Sequence, residues 1–331
     1  MKKYSFLLII LGFFYTLAIV LWLSLNEIFY LYNFIIIGTC LGVGVGLWPV
    51  LPKHKKHIAR MISQIAVGGY MFFGLGCGFI YLMFNRIMPE NMQIEGFWFW
   101  LLSGAFMAAV IHFSVAKIVG PLIFNRAWCG WTCWTAAIFD LLPWKTSPGR
   151  LAKKYGYLRY IHFIVSAILV FILFFTYDYG LKNTVRAVIV DKDTQLAEGI
   201  FSMIKIPELW WFLVGNLLYY TVGIILAMIL KDNRAFCKYI CPIVVFMKIG
   251  SRFSMIKVKK TLDNCTNCKL CEKKCPMDIE ITKYIRENKR VSSSECIICH
   301  TCISTCPQKT LKLSFGFDAG NEYLRNKSAK K

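Results

Sequence analysis

The sequence predicts an all-α membrane bundle of about six transmembrane helices, followed by a small α+β domain built on two cysteine clusters. Three observations carry this. Six apolar stretches are long enough to cross a bilayer. A motif holding two cysteines recurs after the fourth and sixth of them. Two more cysteine runs, identical in spacing, lie near the C-terminus.

The apolar stretches come first. Hydrophobic residues make up 57% of the 331 and charged residues only 17%, against about a quarter in ordinary soluble domains. The stretches run over residues 4–25, 28–51, 61–84, 97–119, 158–177 and 209–230. At about 1.5 Å rise per residue, each can cross roughly 30 Å of hydrocarbon. The first reads as a span and not a signal peptide, since it has no clear small-residue cleavage site and leads straight into the second. Gly42, Gly44 and Gly46, with Gly68, Gly69, Gly74, Gly76 and Gly78, suit close helix packing. Cys40 and Cys77 stand alone inside spans and read as ordinary buried apolar residues.

The net charge is +21, but its distribution argues against a nucleic-acid partner. The basic residues sit between spans and in the C-terminal third. One side of the membrane collects Lys2, Lys3, Lys53, Lys55, Lys56, Arg60, Arg126, Lys145, Arg150, Lys153, Lys154 and Arg159. The first two loops of the other side hold only Arg86. The loop 178–207 mixes Lys182, Arg186, Lys192 and Lys205 with Asp178, Asp191, Asp193 and Glu198. This bias places both termini in the cytoplasm and the chain in the cytoplasmic membrane as a multi-pass protein.

The repeat reads Asn125-Arg126-Ala127-Trp128-Cys129-x3-Cys133 and Asn233-Arg234-Ala235-Phe236-Cys237-x3-Cys241-Pro242. Its position at equivalent ends of two spans implies a pseudo-symmetric pair of helical units. Short amphipathic stretches follow at 135–144 and 243–253, too short to span and expected at the interface. The expected organisation is therefore a transmembrane domain over 1–230, with an interfacial cysteine segment at 125–144. A second cysteine segment and interfacial helix follow over 231–256, then the α+β domain over 257–314 and a basic tail over 315–331.

The C-terminal runs are Cys265-x2-Cys268-x2-Cys271-x3-Cys275-Pro276 and Cys296-x2-Cys299-x2-Cys302-x3-Cys306-Pro307. Two such runs form the bacterial two-cluster ferredoxin pattern, in which the fourth cysteine of each run serves the other cluster. The expected ligand sets for two [4Fe–4S] clusters are therefore Cys265, Cys268, Cys271 and Cys306, and Cys296, Cys299, Cys302 and Cys275. Structural zinc sites use paired C-x2-C or Cys/His sets instead. His300, inside the second run, is expected at the surface or beside the ligands rather than among them, because the cysteine count is already complete.

Cys129, Cys133, Cys237 and Cys241 carry a less determinate signal. Residues four apart share a helix face, so two pairs can converge as a four-thiolate site. A third metal or iron–sulfur centre, redox-active dithiols and free interfacial cysteines all remain open readings. Arg126 and Arg234 offset thiolate charge in the first of these, and Trp128 and Phe236 shield it. His112 and His162 lie inside spans and are candidates for a quinone head group or haem, or hydrogen-bonded bundle residues. Lys257, Lys259, Lys260, Lys269, Lys273 and Lys274 surround the first cysteine run. They suit either an acidic donor protein, such as a ferredoxin or flavodoxin, or anionic membrane lipid.

From about residue 97 to 307 the chain resembles the NapH/NosR-type membrane-bound polyferredoxins, and more distantly the copper-oxidase assembly protein CcoG. The resemblance rests on the spans, the two Cys-x3-Cys motifs and the paired ferredoxin runs. It implies a membrane-anchored electron-transfer protein passing electrons between a quinone or cytoplasmic donor pool and a redox partner, as a component of a quinol dehydrogenase. The alternative it implies is a reductive assembly factor that delivers electrons to a metal ion or a metalloenzyme under construction. Cys133 is followed by Trp134 where the family pattern has proline. A Ser-Gly-Ala-Thr flavin-attachment motif is missing, so a full NosR role is not expected.

Overall fold

The computed structural model describes residues 4–84, 91–103, 108–144, 153–177, 207–261 and 264–316. Lys2, Lys3, Arg86, Lys145, Arg150, the loop 178–206 and the tail from 317 lie outside the described residues. The chain forms two units that alternate along the sequence. The first comprises 1–112, 131–141 and 164–222, and the second 113–130, 142–163 and 223–331.

Among the described residues, five helices are long and apolar enough to cross a membrane: Ser5–Leu25, Ile28–Gly46, Lys56–Gly76, Tyr155–Thr176 and Glu208–Leu230. The expected span at 97–119 differs. Its helical pieces are Ile94–Leu102, Ala108–Phe113 and Gly120–Phe124, with a π-helical turn at Ser114–Val119. Large apolar side chains point outwards along the long helices, and Leu23 and Ile229 are each 70% exposed. Such surfaces suit lipid.

In the first unit, Ser5–Leu25 and Ile28–Leu41 form a hairpin turned by Asn26, whose φ of 52° is left-handed. Glycine sets the helix approach at one point. A Cβ on Gly44 would lie 2.1 Å from Cβ of Ser63 on Lys56–Gly69. Several polar side chains in this unit are tied to one another, as hydrocarbon favours. Tyr70 donates to Oδ1 of Asn33 at 2.8 Å, and Ser166 donates to Glu95 at 2.8 Å.

The short helix Trp134–Leu141 packs within the first unit. Trp134, Ala136, Ala137 and Phe139 are buried, and Asp140 pairs with Arg60 at 2.6 Å. The Trp134 indole donates to Oδ1 of Asn216 at 2.9 Å, while Asn216 donates to its own helix at Phe212 O, 2.7 Å away.

The second unit contains the antiparallel strands β1 (Ile256–Lys260) and β2 (Leu311–Phe315), paired from Ile256↔Phe315 to Lys260↔Leu311. Around them lie the short helices Leu270–Lys273, Ile281–Arg286 and Thr301–Thr305. The helix Val244–Arg252 buries Val244 and Met247. Its Phe246 meets Phe113 and Phe163 edge-on, with ring centroids 5.7 and 5.2 Å away. Both short helices thus bury part of their apolar surface against protein, while Ile138, Leu141 and Ile249 stay exposed.

Replacing Asn216 by Ala removes the acceptor of the buried Trp134 indole. A loss of about 1–3 kcal/mol is expected, read as a lower melting temperature of the detergent-purified protein.

Candidate functional site

The two C-terminal cysteine runs have matched backbones. Asn267 and Ile298 precede the second cysteine of each run, Lys269 and His300 follow it, and Asp278 and Lys309 lie three residues beyond the fourth. All six have positive φ, between 47° and 60°. For the β-branched Ile298 that conformation is strained, and such strain concentrates at functional sites. Alternating left-handed residues turn successive N–H groups towards one side, forming an anion-binding concavity. The amides of Met277 and Ile279 bond to the Cys275 sulfur, and that of Ile298 to Cys296.

The chain then brings the fourth cysteine of each run to the other run. Cys265, Cys268 and Cys271 line one cleft, open to solvent on one side, together with Cys306. Cys275 instead lies within electrostatic reach of Cys296, Cys299 and Cys302. The two sets differ in setting. Cys265 and Cys268 are exposed, whereas Cys275 and Cys296 are buried in a core with Met277, Val291, Ile297 and Ile298.

This donor set fits iron–sulfur clusters. Among the described residues, no three His, Cys, Asp or Glu side chains converge on a single metal-ion position. Four thiols instead surround a space, as a cluster requires. Burial, reinforced by neighbouring Cys299, pushes the Cys275 thiol up to about 12. Burial does the same to Cys296, also to about 12, with Cys299 adding to it. Cys271 rises to about 11 through burial, Glu272 and Cys306. Thiols so placed give up their protons only to a strong local positive charge, which metal ions supply.

The repeat also takes one local form twice. Ala127–Trp131 and Ala235–Tyr239 are five-residue helices, and each stops short of the second cysteine. The expectation that each pair shares one helix face is therefore corrected. At Cys241 the following proline offers no N–H to continue the helix. Cys129, Cys237 and Cys241 lie within electrostatic reach of the fully buried Arg126. Cys133 belongs to the first unit, where it lies within electrostatic reach of Tyr220. Arg234 donates to the Cys129 carbonyl at 3.0 Å, so the second repeat holds the first. Lys117 is buried and stands 3.7 Å over the Trp128 ring.

Contacts between repeats and cysteine runs were not foreseen from the sequence. Arg126, Arg159 and Lys248 all pair with Glu295, the residue before Cys296; the last two lie at 2.9 and 2.8 Å. Burial alone would raise the Glu295 pKa, but Arg126, then Arg159 and Lys248, hold it well below the usual carboxylate range. Burial would lower Arg126, but Glu295 and the three cysteines hold it above its ordinary value. Lys238 bridges Asp232 and Asp278, at 2.6 Å to each. The one available hint was scarcity, since only 18 residues are acidic against 39 basic.

His162 donates from Nδ1 to the Ile240 carbonyl at 3.0 Å, since a carbonyl can only accept. His112 is half-buried in the first unit. His300, expected outside the ligand set, is buried at the start of Thr301–Thr305. Lys257 is fully buried, whereas Lys259, Lys269, Lys273 and Lys274 are exposed. The first unit has a second cavity, where Glu95 and Glu208 face apolar walls that include Phe99 and Trp211.

Comparison with known proteins agrees with these features. A family profile described as a 4Fe-4S dicluster domain matches residues 257–307. A second, a 4Fe-4S binding domain, matches twice, at 99–154 and 217–261, so it covers both copies of the repeat. The uncharacterized protein MJ0750 of Methanocaldococcus jannaschii is 29% identical over 80% of this chain and 98% of its own length. The putative electron transport protein YccM of Escherichia coli is 26% identical over 65% of this chain and 58% of its own length. The regulatory protein NosR of Stutzerimonas stutzeri is 23% identical over 78% of this chain but only 33% of its own length. No solved structure matches.

Gly130 touches the second cysteine run directly, since a Cβ there would lie 2.3 Å from the Ile297 carbonyl oxygen. Gly130→Val is expected to lower iron per chain. Gly69→Ala, whose Cβ would meet nothing within 4 Å, is expected to leave it unchanged.

Proposed function

We propose that this chain, a membrane-associated ferredoxin-type 4Fe–4S electron-transfer protein, holds two [4Fe–4S] clusters on crossed cysteine sets. Cys265, Cys268, Cys271 and Cys306 hold one, and Cys296, Cys299, Cys302 and Cys275 the other. The observation that carries this reading is the cleft that Cys306 shares with the first three cysteines of the other run. Such groups, when bound, supply one-electron transfer at potentials set by charge, hydrogen bonds and exposure. The protein's own part is to position and to exclude water. Ile297, Ile298, Val291 and Met277 close off Cys275 and Cys296, and backbone amides face their sulfurs.

The two sets have different neighbours, which gives the electron path a direction in space. The exposed edge at Cys265 and Cys268 is where a soluble partner can approach. Cys296 lies against the membrane-boundary repeat, since the Arg126 amide donates to its carbonyl at 3.3 Å. The exposed Lys269, Lys273 and Lys274 favour an acidic donor protein of the ferredoxin or flavodoxin kind at that edge. The basic loops favour a cytoplasmic side of the cytoplasmic membrane for this edge and for both termini.

A third centre at the repeats is supported by two features. Nε and Nη2 of the fully buried Arg126 have no hydrogen-bond partner among the described residues, beside three cysteines. The 4Fe-4S binding profile covers both repeats. If a quinone pool is the donor, the cavity bearing Glu95 and Glu208 is better furnished than His162, whose Nδ1 is committed to Ile240. Carboxylates there can accept the protons a quinol releases.

Anaerobically purified protein is expected to hold at least about eight irons per chain and to give two interacting EPR signals on reduction. Iron beyond eight that is lost with Cys129→Ser marks the third centre; a full complement without it would reject that centre. Reduction by an acidic ferredoxin is expected to slow steeply as salt rises. A salt-independent rate would count against docking at the lysines.

A further inference from the structure

The two repeats do more than mark the ends of two spans. Each sends a buried cation to one of the two chain segments that carry Cys275 and Cys296. From the first repeat, Arg126 reaches Glu295, which directly precedes Cys296. From the second, Lys238 reaches Asp278 at 2.6 Å, three residues beyond Cys275. Arg126 is fully buried and Lys238 only 6% exposed, so neither pair is a screened surface contact.

We propose that the repeats act as a two-point ionic clasp. Arg126 on Glu295 and Lys238 on Asp278 seat the two segments of the buried cysteine set, and Glu295 with its cations tunes the reduction potential there. The inference rests on the crossed assignment of cysteines proposed above. Its physical basis is proximity of fixed charge. Glu295 carries one negative charge against the three positive charges of Arg126, Arg159 and Lys248. A cluster on Cys296 feels the balance of that group far more than one on Cys265 does, because Coulomb terms in a low-dielectric interior fall with distance. Removing the carboxylate leaves the cations unbalanced, favours the added electron and raises the potential. Removing a cation does the reverse. Glu295, Asp278, Arg126 and Lys238 are positioning residues in this account and ligate nothing.

The test is an EPR-monitored redox titration of the full-length protein in detergent or nanodiscs. Cys296→Ser first identifies which signal belongs to the buried set. Glu295→Gln and Asp278→Asn are then expected to move that signal to higher potential. Lys248→Gln should move it to lower potential, leaving the other signal in place. Lys248 sits at the edge of the group, with its side chain 18% exposed, so this variant keeps the test open if Glu295→Gln fails to fold. A purely structural role would lower occupancy without shifts of opposite sign. Equal shifts in both signals, shifts of the same sign in Glu295→Gln and Lys248→Gln, or no shift at all would overturn the clasp. Protein with no iron–sulfur signal would instead overturn the cysteine assignment on which it rests.

Discussion

A single carboxylate shared by three cations, Glu295, is the constraint from which the arrangement of the second unit follows. Arg126 is completely buried, and a buried guanidinium without a counter-charge is not tolerated. Breaking such a pair costs about 3–5 kcal/mol because the remaining charge stays buried. Glu295 must therefore sit where Arg126 can reach it, and Cys296 follows immediately in the chain. The backbone confirms the fit, with the Arg126 amide on the Cys296 carbonyl and Gly130 flat against Ile297. Lys238, between Asp232 and Asp278, does the same for the segment carrying Cys275.

On that footing the cysteine chemistry becomes physically consistent. Thiols buried as deeply as Cys275 and Cys296 are poor acids, pushed up to about 12 by burial and by each other's neighbours. They are useful only when a cationic metal core replaces their protons. The amides of Met277, Ile279 and the strained left-handed Ile298 point at the Cys275 and Cys296 sulfurs and spread the charge that remains. The exposed edge at Cys265 and Cys268 has no such cover, and lysines stand around it. Cys265 and Cys268 face solvent, whereas the Cys296 segment packs against the first repeat.

Much of this was legible in the sequence because it is local or periodic. The long spans follow from runs of apolar residues, and spacing alone suggests the crossed cysteine sets proposed above. The repeat announced itself by five matched residue classes at equivalent positions. What escaped was long-range or depended on packing. Arg126 and Glu295 lie 169 residues apart, and no local pattern couples them. The short helices carry partners that no local pattern announces: Asp140 is paired to Arg60, and Phe246 is wedged against aromatic rings. The second cysteine of each repeat was expected on the same helix face as the first, and the helix ends before it in both copies. The interruption around Ser114–Val119 is a π-helical turn, which hydrophobicity alone does not reveal.

The central claim is that the two cysteine runs exchange their fourth ligands, and single serine substitutions test it most directly. Mössbauer and EPR spectra of Cys306→Ser and Cys275→Ser, compared with Cys265→Ser and Cys296→Ser, sort the ligands by the cluster each one disturbs. The account predicts that Cys306→Ser and Cys265→Ser alter one spectral component, and Cys275→Ser and Cys296→Ser the other. Pairing of Cys275 with Cys265, and of Cys306 with Cys296, would contradict it.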